Sequence, residues 1–342
     1  MAIFINLIAA LCLLFYSTLA SAQDKVTIGS AKAIGSAASY IALYKGYFKE
    51  QGIDADIVDF NSSANAMVLL AQGTMPVVEG GISAGLFNSI IQNMPAIIVG
   101  DRVSTPVEAK ILIRKDLVGK INNPGDLRDK IVASNGPGAI TTYEVGKLIL
   151  PYGIRFKDLD VKILGFPQMK AAFVNGGIDA ALAVQPFANQ FEEDGIAKIF
   201  ANVDDFVKPL TVAVVMYNTE WAKKNPNLAN RFYVAYMKGV YDYCQAYHSG
   251  SNRKEIIDIM IKSEIETRLN VINDYPWPGR NTDASVYTDS LLDIQKYYLD
   301  EGIISKELPL DRLVTDVYAK YAQEKLGKFQ LENKNSKLDG CR

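Results

Sequence analysis

Apolar residues along this chain switch between two rhythms, and the clearest switch lies in Gln168–Phe187, Q-M-K-A-A-F-V-N-G-G-I-D-A-A-L-A-V-Q-P-F. Met169, Ala172 and Phe173 recur at helical spacing. Gly176 and Gly177 supply the turn conformations that end a helix. Ala180–Val184 is then a continuous apolar run, the pattern of a parallel strand covered on both faces. Gln185 falls just past the carboxyl end of that strand, and Pro186 stops it. In open α/β sheets, ligands gather beyond the carboxyl ends of strands.

The same phrase occurs earlier, in Ala66–Ser83: helix, glycine, short strand, then Glu79 and Ser83 in a glycine loop. Upstream of each copy is a second match. Tyr40–Ile53 reads as a helix ending in Gln51-Gly52-Ile53, and Tyr143–Ile154 as one ending in Tyr152-Gly153-Ile154. The step from Gly52 to Gly153 nearly equals the step from Gly73 to Gly176. Two copies are too few for a solenoid. They predict two similar α/β lobes in one chain.

The rest of the pattern fits around these landmarks. Strands are predicted at Lys25–Gly29, Ile53–Phe60, Pro76–Val78 and Ala96–Gly100, with helices at Tyr40–Gln51, Ala64–Gln72 and up to Asn93. Small or hydroxyl residues fill the junctions: the Ser30–Ser39 loop, the N-cap signature Asn61-Ser62-Ser63, and Gly80-Gly81. Val107–Arg114 and Thr211–Tyr217 alternate as extended strands and break the strand–helix rhythm. They are expected to be the paired crossings between lobes. Between them lie a strand at Lys130–Ser134, a loop Asn135-Gly136-Pro137-Gly138, a helix at Thr141–Tyr152 and a strand at Val161–Leu164. After Tyr217 the chain reads as helices, at Trp221–Lys224, Leu228–His248, Arg253–Lys262, Glu266–Asn273, Val286–Asp300 and Asp311–Glu324. Tyr275-Pro276-Trp277-Pro278-Gly279-Arg280 interrupts them. Its prolines forbid helix, so it is either a ligand lid carrying Trp277 or a capping turn.

Composition narrows the function. Of 342 residues, 49% are hydrophobic and 22% charged, as in ordinary globular proteins. A net charge of −2 without an arginine-rich stripe argues against a nucleic-acid partner. Ile3–Leu19 is almost wholly apolar, and Ala20-Ser21-Ala22 forms an A-x-A cleavage pattern, although the first residues lack Lys and Arg. An export signal at 1–22 is expected, leaving a free mature chain. Cys12 follows Leu11 rather than a small residue, so a lipid anchor is not expected. Cys244 and Cys341 then remain, too few for a disulfide scaffold or a metal site. In an oxidising compartment they can bridge or stay free.

No catalytic set emerges. The only histidine, His248, is expected at the surface, and no G-x-S-x-G elbow or phosphate-loop lysine motif is present. Gly136 and Gly138 lack the third glycine of a dinucleotide fingerprint. An exported two-lobe α/β chain of this kind is most naturally a binding protein that closes on a ligand, without cofactor or metal.

Several pieces, in order, resemble one family. They are Tyr40–Gly52 (Y-I-A-L-Y-K-G-Y-F-K-E-Q-G), Pro124–Val132, Gly176–Pro186, Tyr217–Arg231 and Leu292–Ser305. The chain resembles the periplasmic substrate-binding proteins of ABC importers, in the group of nitrate, alkanesulfonate, taurine and thiamine-pyrimidine-precursor binders. Gln185 stands where members often carry Glu. The cysteine cluster of the pyrimidine-synthesising enzymes on this fold is absent. The resemblance implies an α/β, two-lobe, type II Venus-flytrap protein with a helical C-terminal region packed on lobe one. It implies a periplasmic monomer that delivers a small-molecule ligand to an ABC permease with its ATPase. A sensory ligand-binding subunit, or an enzyme making a pyrimidine precursor, are the alternatives.

The expected organisation is lobe one at 23–106 and 218–330, hinge strands at 107–114 and 211–217, lobe two at 115–210 and a tail at 331–342. The expected ligand residues are Lys32, Ser36, Tyr40, Ser63, Glu79, Ser83, Asn135, Thr141, Thr142, Gln185 and Trp277. Most stand in loops that end in helix N-termini, where free backbone N–H groups favour an acceptor-rich ligand. Lys32, Arg102 and Arg280 suit a carboxylate or sulfonate, and Glu79 a cationic or ring N–H group. N-terminal sequencing of exported protein is expected to begin at Gln23. Recovery of chains that retain Met1 in a membrane fraction would exclude cleavage after Ala22.

Overall fold

A computed structural model describes residues 23–60 and 63–341, with the backbone alone at 63–65. The expected export signal at 1–22, and Asn61 and Ser62, lie outside those residues. The strands are β1 (Asp24–Ser30), β2 (Ile53–Val58), β3 (Val77–Gly81), β4 (Ile97–Ser104), β5 (Lys110–Arg114), β6 (Ile131–Ser134), β7 (Asp160–Ile163), β8 (Ala180–Ala183), β9 (Ala197–Asn202) and β10 (Thr211–Tyr217). They form two five-stranded sheets, ordered β2-β1-β3-β10-β4 and β7-β6-β8-β5-β9.

The two sheets share one plan. In each, the first three positions are parallel strands. The fourth position is an antiparallel strand inserted beside the fifth. Thus β6, β7, β8 and β9 repeat β1, β2, β3 and β4, and the glycine landmarks mark equivalent turns. Gly52, Gly73, Gly153 and Gly176 all take positive φ, where a side chain would be strained.

The two alternating segments occupy inner positions in different sheets. β10 lies between β3 and β4, and β5 lies between β8 and β9. The chain passes from the first sheet to the second in 105–109 and returns in 203–210. The strands themselves are fully built into a lobe, because an inner strand satisfies its backbone groups on both edges.

The helices are α1 (Ala37–Tyr44), α2 (Tyr47–Glu50), α3 (Ser63–Ala71), α4 (Ala84–Ile91), α5 (Ile140–Ile149), α6 (Phe166–Val174), α7 (Phe187–Glu193), α8 (Thr219–Lys224), α9 (Pro226–Tyr247), α10 (Arg253–Lys262), α11 (Leu269–Asp274), α12 (Thr288–Asp300), α13 (Leu310–Leu313) and α14 (Val317–Leu326). No helix of the described residues is long and apolar enough to cross a membrane. The expected helix 40–51 is split at Gly46, whose φ of 79° ends one helix and caps the next. Neighbouring strand residues serve opposite faces. Val77 and Val215 pack with α1 and α9, whereas Val78, Val214 and Met216 pack with α3 and α4. The second of these clusters continues into the other sheet through Ile111, Ile113, Val132 and Leu182 and takes in Tyr298 of α12. Leu112, Ala133 and Ala181 close the far face against α6 and α7.

The tail is tied down. Cys244 and Cys341 are bridged. His248, expected at the surface, is 1% exposed. Its ring nitrogens meet the Ser336 hydroxyl at 2.7 Å and the Cys341 carbonyl at 3.2 Å, because the returning tail covers it.

Helix α9 reaches α1 through Gly239. A Cβ there would stand 2.1 Å from the Ala38 carbonyl oxygen. Gly239→Ala is expected to force the helices apart and cost at least about 1–3 kcal/mol, as overpacking does. A urea midpoint equal to that of the parent protein would contradict this packing.

Candidate functional site

The junctions after the strands bring the lobes together. The Ile34 N–H of lobe one donates to the Gln185 carbonyl of lobe two at 3.4 Å. The Ala84 N–H, at the start of α4, donates to the Gly138 carbonyl at 2.8 Å. The Tyr298 hydroxyl of α12 donates to the Ala139 carbonyl at 2.9 Å. These contacts shut the lobes around a cavity of about 100 Å³ lined by both. The walls are mostly apolar, including Phe60, Val103, Val107, Ile140, Phe166 and Val184. Five polar side chains interrupt them: Arg102, Asn135, Thr141, Glu144 and Gln185.

Three of those five are buried with hydrogen-bonding capacity unspent. Arg102 Nε, Glu144 Oε2 and both amide atoms of Gln185 have no hydrogen-bond partner. Such groups cost free energy unless something satisfies them, so a polar ligand is their natural partner. Thr141 is already engaged, 2.7 Å from Ser134 Oγ and donating to Asn135 Oδ1 at 3.0 Å.

Behind Arg102 lies a buried charge cluster. Arg102 donates to Ser36 Oγ, and its Nε stands 4.0 Å from Glu79 Oε2. Glu79 is fully buried in β3 rather than in a loop, and accepts from Ser39 and from Ser30, the latter at 3.1 Å. Burial pushes its carboxyl up, against the opposing pull of the Arg102 guanidinium and the serine hydroxyls. Arg280 donates to the Gly35 carbonyl at 3.1 Å and lies 3.9 Å over the Tyr243 ring. Burial raises Asp101 to about 7, against the Asn281 N–H and Ser104 hydroxyl that it accepts from. Two buried guanidiniums therefore stand beside two buried carboxyls, and burial works against the charged form of Arg102 as it does against those of Glu79 and Asp101.

The structure sorts the expected residues into three groups. Asn135, Thr141 and Gln185 line the cavity. Ser36 and Glu79 stand behind it as partners of Arg102. The others do other work. Ser83 caps α4, accepting from the Leu86 N–H at 3.3 Å. Thr142 and Tyr40 are buried but do not line the cavity, and burial first raises the Tyr40 phenol to about 12. Ser63 opens α3, its side chain outside the described atoms. Lys32 sits at an outer cleft beside Asp59 and Phe187, paired with Glu264 at 2.7 Å. Trp277 is 2% exposed, donates from Nε1 to the Ile272 carbonyl at 2.8 Å and packs on Tyr243. Of its hexapeptide only Pro278 lines the cavity. Glu144, Phe60 and Phe166 were not expected there. Glu144 follows Thr141 by three residues and shares its helix face, which is the signal that could have found it.

Residues 34–247 match the family model described as NMT1/THI5 like. No curated protein matches the chain in sequence. Three solved structures with this fold are informative. The nitrate-binding protein NrtA from Synechocystis PCC 6803 is 14% identical, with a TM-score of 0.72 over 89% of this chain and 89% of its own. The alkanesulfonate-binding protein SsuA from Xanthomonas axonopodis pv. citri, bound to MOPS, is 15% identical, with a TM-score of 0.70 over 86% of this chain and 99% of its own. The desulfurization enzyme DSZB is 11% identical, with a TM-score of 0.62 over 89% of this chain and 99% of its own. The fold is thus the two-lobe α/β fold of periplasmic binding proteins.

Glu79→Ala would leave Arg102 buried without its carboxylate. Breaking a buried pair costs about 3–5 kcal/mol, so this variant should be strongly destabilised in chemical denaturation. A loss no larger than that of a surface substitution would mean that the cluster does not hold the site together.

Proposed function

The chain belongs to the NMT1/THI5-like family, and from that premise we propose that it captures a small anionic solute outside the cytoplasm and delivers it to an ABC importer. The observation that carries this reading is the Arg102 guanidinium. It is buried at the wall of a cavity lined by both lobes, with one N–H unspent. A guanidinium in a low-dielectric wall binds carboxylate or sulfonate through charge-assisted hydrogen bonds. The nitrate and alkanesulfonate named for two proteins of the same fold agree with an acidic solute. Gln185 and Asn135 supply the remaining donors from the second lobe, and the apolar walls accept the solute's body.

Capture requires opening. We assign lobe one to 23–104 and the returning helices, lobe two to 110–202, and the hinge to the two segments between sheets, 105–109 and 203–210. A carrier of this kind works as a monomer whose lobe faces meet the permease. A catalytic reading, favoured by the enzyme on the same fold, needs reactive groups. Among the described residues the cavity lining holds neither histidine nor cysteine.

A thermal-shift screen of small carboxylates, sulfonates and inorganic anions tests the proposal, since a ligand that binds the folded state raises its stability. Gln185→Ala should weaken the best hit by about tenfold, the worth of one or two hydrogen bonds. Scattering should show a smaller radius of gyration on binding. Stabilisation by cations alone, or turnover of the bound solute seen by mass spectrometry, would overturn the reading.

A further inference from the structure

The cavity has a second polar end. Glu144 rises from α5 into the wall that lobe two contributes, and it is 1% exposed. Its Oε2 has no hydrogen-bond partner. Gln185, also in that lobe's share of the wall, leaves its whole amide unpaired. Arg102 comes from β4 of the other lobe, so the anion-binding group and the Glu144 carboxyl stand on walls contributed by different lobes. Resting on the anion-binding reading above, we infer that Glu144 is a specificity-determining residue, and that the solute is a monoanion carrying a second, uncharged hydrogen-bond acceptor.

The surroundings of Glu144 decide what it offers. Burial pushes its carboxyl up, and the Asp204 carboxylate adds to this, to about 8. Asp204 is itself held by the Val107 N–H at 2.9 Å and the Glu108 N–H at 3.1 Å, in the first crossing segment. The neighbouring hydroxyls are committed elsewhere. Tyr143 donates to Asp293 at 2.5 Å, and Tyr298 to the Ala139 carbonyl. Glu108 is paired with Lys110 at 2.8 Å. At neutral pH Glu144 is thus a carboxylic acid, able to donate one hydrogen bond to a ketone, ether or hydroxyl oxygen. An ammonium group on the solute would need it ionised, beside Asp204 and away from water.

The sign of the pH dependence follows. The acid form donates below about 8. Above that pH the carboxylate repels both the acceptor and the bound anion, so affinity falls as pH rises. A glutamine at 144 donates at every pH.

Calorimetry with pentanoate, 4-oxopentanoate and 4-aminopentanoate separates the possibilities. The oxo acid is expected to bind about tenfold more tightly than pentanoate at pH 6.5, the worth of one added hydrogen bond. That preference should shrink on raising the pH past 8.5 in the parent protein and persist in Glu144→Gln. Glu144→Leu should abolish the difference between the two acids. Tightest binding of the amino acid, or a preference that ignores both pH and residue 144, would overturn the inference while leaving anion capture standing. Failure of all three to bind at any pH would overturn this inference, whereas anion capture falls only if the wider screen of carboxylates, sulfonates and inorganic anions also finds no binder.

Discussion

Everything in the molecule depends on where β10 goes. β3 and β4 do not pair with each other; β10 fills the gap and ladders with both. The chain reaches β10 only after building the whole second sheet. The first lobe therefore cannot complete its hydrogen bonding until the second has been made and the chain has returned. That requirement fixes two crossings rather than one. It also places β4 and β5, consecutive in sequence, in different sheets.

The cavity's chemistry follows from this placement. β4 ends in Asp101, Arg102 and Ser104, and all are buried because β10 and the returning C-terminal segment cover them. Glu79 on β3 and Arg280 on the returning segment complete the cluster around Arg102. Each charge is costly to bury alone. Together they hold a guanidinium at the cavity wall, with serine hydroxyls and a carboxylate fixing its geometry. In the other lobe's share of the wall, Thr141, Asn135 and Ser134 satisfy one another, whereas Glu144 and Gln185 keep unpaired atoms.

The lobes also meet outside the cavity. Gln190 donates to Glu266 at 2.6 Å, Asn270 to Glu193 at 3.0 Å, and Arg268 pairs with Asp194 at 3.3 Å. On the other side Tyr143 and Lys147 meet Asp293, and Arg155 meets Glu301 at 2.8 Å. These pairs are largely at the surface, where each contributes little.

The sequence by itself determined the local grammar. Helix–glycine–strand phrases, the duplicated lobe and the polar junctions were legible because each is written within about twenty residues, the reach of periodicity and turn chemistry. Asn135, Thr141 and Gln185, at junctions after parallel strands, line the cavity for that reason. Tertiary structure alone decided the rest. Val107–Arg114 and Thr211–Tyr217 read as crossings, yet β5 and β10 became inner strands, since pairing partners are not encoded in alternation. Trp277 and Lys32 looked available. One was claimed by Tyr243 and Ile272 and the other by Glu264, partners close in space for reasons of packing rather than of local pattern. That Glu144 is buried in the cavity wall was likewise decided by the fold and not by its helix. A residue's solvent and charge neighbours are properties of the folded whole.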